Sequence, residues 1–146
     1  MARYLLRERL DSLLERVDRL TPGSPRKWGK MTVDEAVVHM TDALRICTSE
    51  VPAKDGSNFF TRVFLKPLML YAPWPKGAPT PPAAKTNKPE SWDSDIAKLK
   101  EMLKRVAAMG PDDTWGVHPM LGHISAKHAH RMMWRHANHH LRQFSV

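Results

Sequence analysis

Near the C-terminus the chain reads "WRHANHHLRQF", Trp134 to Phe144, with three histidines, His136, His139 and His140, inside five residues. Neutral imidazole is the commonest nitrogen ligand for metals and a ready acid or base. An α-helix turns about 100° per residue, so His136 and His140 lie about 40° apart on one face, one turn from each other. With His136 at zero, Ala129 falls near about 20°, Met132 near −40°, Met133 near 60° and Phe144 near 80°. Both histidines therefore lie inside an apolar stripe, where an unpartnered imidazole is costly.

Two readings follow. The histidines are core residues bonded to backbone or carboxylate, or they are metal ligands, since one ion satisfies both rings at about 2.0–2.1 Å. A third ligand then comes from a facing helix. His39 is the candidate, being the only histidine before position 118. Gln143, near about −20° on the same wheel, is placed to support a ligand from behind. Glu35, one turn before His39, is a second candidate for that role, although a helix-capping role competes. His139 falls at the stripe edge and reads as an ordinary polar residue. His128 and His130 read as surface or rim residues. Cys47, two turns after His39, reads as a small buried hydrophobe.

These residues need elements to hold them. Four segments have helical periodicity. The first runs over about Arg3–Leu20 and ends at Pro22 and Gly23. The second runs over Val33–Thr48. Its "TVDE" start matches a capping box of Thr32 and Glu35, and His39 lies at the edge of its apolar stripe, near Ala36, Ala43 and Ile46. The third covers Trp92–Met109, with Ile96, Leu99, Leu103 and Val106 inward and Gly110–Pro111 as its stop. The fourth covers Ala126–Phe144, with Ser125 as N-cap.

Between the second and third lies a long segment, Val51–Glu90. Its "NFFTRVFLKPLMLY" predicts a short apolar helix bent or ended near Pro67, followed by a proline-rich stretch. A connection this long suits a crossover along a bundle. The expectation is one all-α domain over residues 1–146, a four-helix bundle with a long crossover between helices two and three.

Composition narrows the function. The chain has 146 residues, enough for one core, and 42% are hydrophobic, which argues against disorder. No apolar run approaches the roughly 20 residues of a membrane span, and the charged N-terminus lacks a signal-peptide pattern. A single cysteine permits no intrachain disulfide, so a cytoplasmic location is expected. The net charge of +8 favours anionic partners. Its cations are scattered, with no nucleic-acid-binding motif, so neither nucleic acid nor membrane is expected as the main partner.

The "VVHM" of helix two, the C-terminal H-x3-H with its following Arg and Gln, and the long crossover together resemble the DinB/YfiT superfamily of four-helix bundles. The stretches "WGKMT", "PKGAPTP", "HPMLGHIS" and "HHLRQF" resemble a bacterial subgroup of that superfamily whose function is not assigned. The resemblance covers most of the chain from about Trp28. It implies one divalent metal, zinc or nickel, on three histidines that match His39, His136 and His140, with water completing the shell. It also implies a homodimer and a low-molecular-weight thiol cosubstrate such as bacillithiol or mycothiol.

Two functions are expected on this basis. One is a metal-dependent S-transferase acting on a small-molecule substrate, or a hydrolase; Lys76, Lys85, Arg135 and Arg142 are candidate anion contacts for it, although each reads more readily as an ordinary surface charge. The other is a non-catalytic metal-binding bundle. Trp28, Trp74, Trp92, Trp115 and Trp134 are either pocket walls or core anchors, and "GVHPMLGHIS", with His118 and His123, is either a cover for the site or a structural turn.

Overall fold

The computed structural model describes residues 3–78 and 87–146. Among them every regular element is helical, and the one extended pairing is an isolated bridge between His118 and Gly122. No helix among them is long and apolar enough to cross a membrane.

The first amphipathic stretch forms two pieces, α1 (Leu5–Glu8) and α2 (Leu10–Asp18), where the periodicity predicts one helix. The interruption is a loosened turn at Arg9, whose φ of −111° and ψ of 10° leave the helical region. Hydrogen bonds still span it, Arg9 N to Leu5 O and Leu13 N to Arg9 O, each at 3.1 Å. Leu6, Leu13 and Val17 therefore keep one buried face across the break.

Helix α3 (Val33–Cys47) starts at the capping box that its sequence announces. Glu35 N donates to the Thr32 hydroxyl at 3.2 Å, and Thr32 N donates back to the Glu35 carboxylate at 2.9 Å. The apolar stretch that follows α3 forms a π turn over Thr61–Leu65 and then α4 (Lys66–Tyr71). Pro67 neither ends nor breaks it. The Lys66 amide reaches back five residues to Thr61 O, and this wider turn leaves room ahead of a residue that has no N–H to give. Phe59, Phe60, Val63, Phe64, Leu68 and Tyr71 stay exposed along this segment.

Helix α5 (Trp92–Ala108) buries Leu99, Met102, Leu103 and Val106. Helix α6 (Ala126–Gln143) is capped by the Ser125 hydroxyl, which accepts from His128 N at 3.3 Å. Helix α3 packs on both α5 and α6, and so does the α1–α2 pair, while α4 lies on α6. One apolar core runs between them, from Leu6 and Leu13 through Val37, Met40 and Leu44 to Leu103, Met132 and Leu141.

Polar contacts hold the open ends. The C-terminus of α5 presents unsatisfied carbonyls. Arg7 takes Ala107 O at 2.7 Å and Met109 O at 2.9 Å, and His130 donates from Nε2 to Met109 O at 2.8 Å. His130 is thus fully buried, with 0% exposure, where the sequence suggests a rim residue. Its position falls off the main stripe of α6, but α6 is packed by α1 as well as α3, so its buried sector is wider than that stripe. Ahead of α5, Asn87 donates to the buried Asp42 of α3 at 2.6 Å.

Candidate metal centre

Helix α3 carries His39 and helix α6 carries His136 and His140, and the packing of α3 on α6 brings all three together. Their ring centroids form a nearly equilateral triangle, with separations of 4.7, 4.8 and 4.8 Å. Each pair of rings meets nearly edge to face, at 73°, 82° and 83°. One nitrogen from each residue lies within 4.8 Å of the other two. His140 is buried, while His39 and His136 keep partial exposure. The three side chains could together hold a metal ion.

Hydrogen bonds fix which nitrogens meet. His140 Nδ1 lies 2.8 Å from Gln143 Oε1, so Nδ1–H donates and Nε2 keeps its lone pair for the triad. Gln143 is held in turn, because its Nε2 donates to Trp28 O at 2.9 Å. Backbone contact reinforces this clamp, with Lys27 N donating to Gln143 O at 2.8 Å. Gly29 makes the approach possible. Its φ is +78°, and a β-carbon there would lie 2.9 Å from Gln143 Nε2. The glycine of "WGKMT" thus belongs to the support of the site.

His136 Nε2 lies 2.8 Å from His39 Nε2. Two imidazole nitrogens this close share one proton between them. Two ligands on one tetrahedral ion would stand about 3.3 Å apart at ordinary bond lengths, so a small opening of this pair fits an ion. The electrostatics agree with neutral ligands. Burial, followed by the charges of His39 and His140, holds His136 well below the ordinary histidine range. Burial and then His39 bring His140 down to about 3. Metal ligation requires this deprotonated state. The donor set therefore fits a divalent ion that accepts nitrogen ligands.

A family model described as a protein of unknown function (DUF1569) matches residues 2–146. The chain belongs to the DUF1569 family. No curated protein and no solved structure matches it.

The other candidates of this DUF1569 chain are placed as follows. Glu35 is exposed and directs its carboxylate to Thr32 N in the capping box. His139 is half-buried between Trp28 and Trp74, at centroid distances of 5.4 and 5.6 Å, and its ring lies 5.2 Å from that of His140. His118 forms a structural turn, with Nδ1 accepting from Met120 N and Leu121 N, each at 3.1 Å. His123 is exposed. Burial pushes the Cys47 thiol up to about 12, so it is a neutral thiol. Lys85 lies outside the described residues, as does the end of "PKGAPTP".

Trp74 follows α4 and reaches the site because α6 holds the end of that helix. Arg131 donates to Leu70 O at 2.6 Å, and Arg135 donates to Ala72 O. These are C-terminal carbonyls of a helix, and cations one turn apart on α6 satisfy them. Trp74 then lies 6.1 Å from the His136 ring. Periodicity gives no warning of Trp28 or Trp74 at the site, because both come from irregular segments.

Proposed function

We propose that this chain is a DinB/YfiT-like four-helix bundle, with α1 and α2 as one helix and the stretch between α3 and α5 as the crossover. We further propose that it is a divalent-metal-dependent enzyme of the small-thiol S-transferase type. The observation that carries the reading is the meeting of three imidazoles, one of them oriented by Gln143. His39, His136 and His140 would hold zinc or nickel. Three protein ligands leave a position open, where the ion would lower the pKa of a thiol or water.

The chain supplies the rest. Gln143 holds the His140 tautomer, and Trp28 O holds Gln143. The partial exposure of His39 and His136 gives a small substrate access. In the transfer, the thiol sulfur bonds the electrophilic carbon, the leaving group departs with the bonding pair, and the thiol proton ends on that leaving group. A basic protein also attracts the carboxylates that small biological thiols carry.

A second reading rests on the same clamp. Gln143 and Lys27 tie residues 27–28 to the end of α6, so a metal that locks His140 would also lock this segment, as in a non-catalytic metal-stabilised bundle.

The test begins with untagged protein and metal analysis by mass spectrometry, beside a His136→Ala/His140→Ala variant. About one ion per chain, lost in the variant, is the expected result. A panel of small thiols and electrophiles then separates the readings. Metal-dependent conjugation supports the enzyme, and bound metal without turnover supports the structural role. No metal after reconstitution with zinc or nickel sinks both.

A further inference from the structure

Beside the triad lies a cleft of about 440 Å³, lined by Trp28, Tyr71, Trp74 and Trp134 together with His139. This volume falls within the roughly 300–1,000 Å³ of small-molecule sites. Trp74 and His139 belong both to the cleft and to the surroundings of the ligands, with rings 6.1 Å from His136 and 5.2 Å from His140 respectively. Trp74 and His139 therefore stand between the cleft and the histidine triad, one side chain away from it.

The charge of the lining is one-sided. Lys76, Arg135 and Arg142 contribute to it, and no aspartate or glutamate does. Among the described residues none of these three cations is ion-paired to a carboxylate, whereas Arg45, Arg62, Lys98, Lys100 and Arg105 each have an acidic partner elsewhere. Two of the unpaired cations rest on aromatic faces instead. Lys76 lies 5.0 Å from the Trp28 ring and Arg135 lies 5.7 Å from the Trp74 ring. Among the described residues, two donors on lining side chains, Trp28 Nε1 and Arg135 Nε, are buried without an acceptor, a costly state.

We propose that this cleft binds a small organic anion with a flat apolar body, a carboxylate or phosphate monoester whose charge meets Lys76, Arg135 and Arg142 and whose body lies against the tryptophans. Unpaired cations with no competing acid select the charge. Rigid aromatic walls select a flat body over a flexible chain. As a substrate site this rests on the metal-enzyme reading above. As a binding site it stands on the cleft alone.

Nitrogen-15 NMR of the indole groups tests it, because the chain has five tryptophans, of which Trp28, Trp74 and Trp134 line the cleft and Trp92 and Trp115 do not. The probe is 2-naphthoate, with 2-naphthylmethylamine as the cation of similar shape. The expected result is a saturable shift of the three cleft indoles by the acid and none by the amine. A Lys76→Ala/Arg142→Ala variant, altered at two exposed positions, should bind the acid at least about tenfold more weakly.

The proposal is overturned if the acid moves none of the three, if the amine moves them equally, or if the double variant binds as the parent does. A Phe60→Ser/Phe64→Ser variant should bind normally. If it abolishes the shifts, the exposed phenylalanines and not the cleft hold the probe, and the proposal also fails. Metal content is read on the same samples. Binding by protein that takes up no zinc or nickel on reconstitution sinks the enzyme reading and leaves the cleft standing, while metal without binding does the reverse.

Discussion

Helix α6 carries two histidine stations that differ in one respect. His130 and His140 are both buried, at 0% and 9% exposure, and burial lowers the pKa of both. Each uses one ring nitrogen to donate at 2.8 Å to an oxygen, Met109 O for His130 and Gln143 Oε1 for His140. The remaining nitrogens have different company. The His130 ring packs against Tyr4 and Trp115, at centroid distances of 4.8 and 5.5 Å, and its Nδ1 is sealed without a partner among the described residues. The His140 ring faces His39 and His136, both at 4.8 Å. Converging lone pairs repel unless a proton or cation lies among them. Neither burial nor pKa separates a structural histidine from a candidate ligand; the surroundings of the second nitrogen do.

The largest effects should separate the two stations. Replacing His136 and His140 with alanine removes two of three donors and should weaken zinc by more than about a thousandfold. The thermal stabilisation given by added zinc, ~2.7 kcal/mol at a hundred times its Kd, should vanish. An undiminished zinc-induced rise in Tm would place the metal elsewhere.

Acid should affect both stations in the metal-free protein. The folded pKa values of His130, His136 and His140 lie below the ordinary 6.5, and that of His140 falls to about 3. Below pH 6.5 the unfolded chain takes up these protons and the folded chain does not, so stability rises with pH across that window. The contribution is complete above 6.5. It is lost as pH falls, at up to ~1.4 kcal/mol per unit for each such group. Urea melts at pH 7.5, 6 and 5 read this directly, and a flat profile would mean that the rings are already protonated or solvated.

His130→Ala should cost ~2–3 kcal/mol, from a lost buried hydrogen bond and a cavity between Tyr4 and Trp115. Zinc stoichiometry should stay at the parent value. A loss of zinc in this variant, with the fold intact by circular dichroism, would erase the distinction between the stations.

The triad was legible because α3 and α6 are regular helices, and a four-residue spacing inside an apolar stripe survives folding unchanged. Gln143 could be placed for the same reason. His130 was misread because a single stripe describes a helix packed on one side, and α6 has neighbours on more than one. Trp28, Gly29 and Trp74 reach the site from irregular backbone, whose course depends on distant carbonyls such as Leu70 O and Ala72 O. The Arg9 interruption gave no local signal, since no proline or glycine marks it.

Gln143 sharpens the comparison within the ligand station. Gln143→Leu keeps the bulk but removes the acceptor for His140 Nδ1–H, and should weaken zinc about 10–100-fold. The ring would then be free to present the wrong tautomer. Gln143→Glu should retain much of the affinity, since a carboxylate also accepts from Nδ1. If leucine binds zinc as well as glutamine does, the contact at 2.8 Å is packing and not support.

Glu35 sets the smallest expected effect. It precedes His39 by one turn, which is also the spacing of a residue that steadies a ligand, but its carboxylate accepts from Thr32 N at 2.9 Å and its side chain is exposed. A capping contact of this kind contributes ~1 kcal/mol or less. Glu35→Ala should therefore lower Tm modestly while zinc affinity stays within about twofold of the parent. Thr32→Ala, which removes the other half of the box, should behave alike. A double variant should cost less than the sum of the two, because each half depends on the same first turn. A tenfold loss of zinc in Glu35→Ala without the same loss in Thr32→Ala would show that the carboxylate serves His39, and that helix α3 and helix α6 each provide their ligand with its own support.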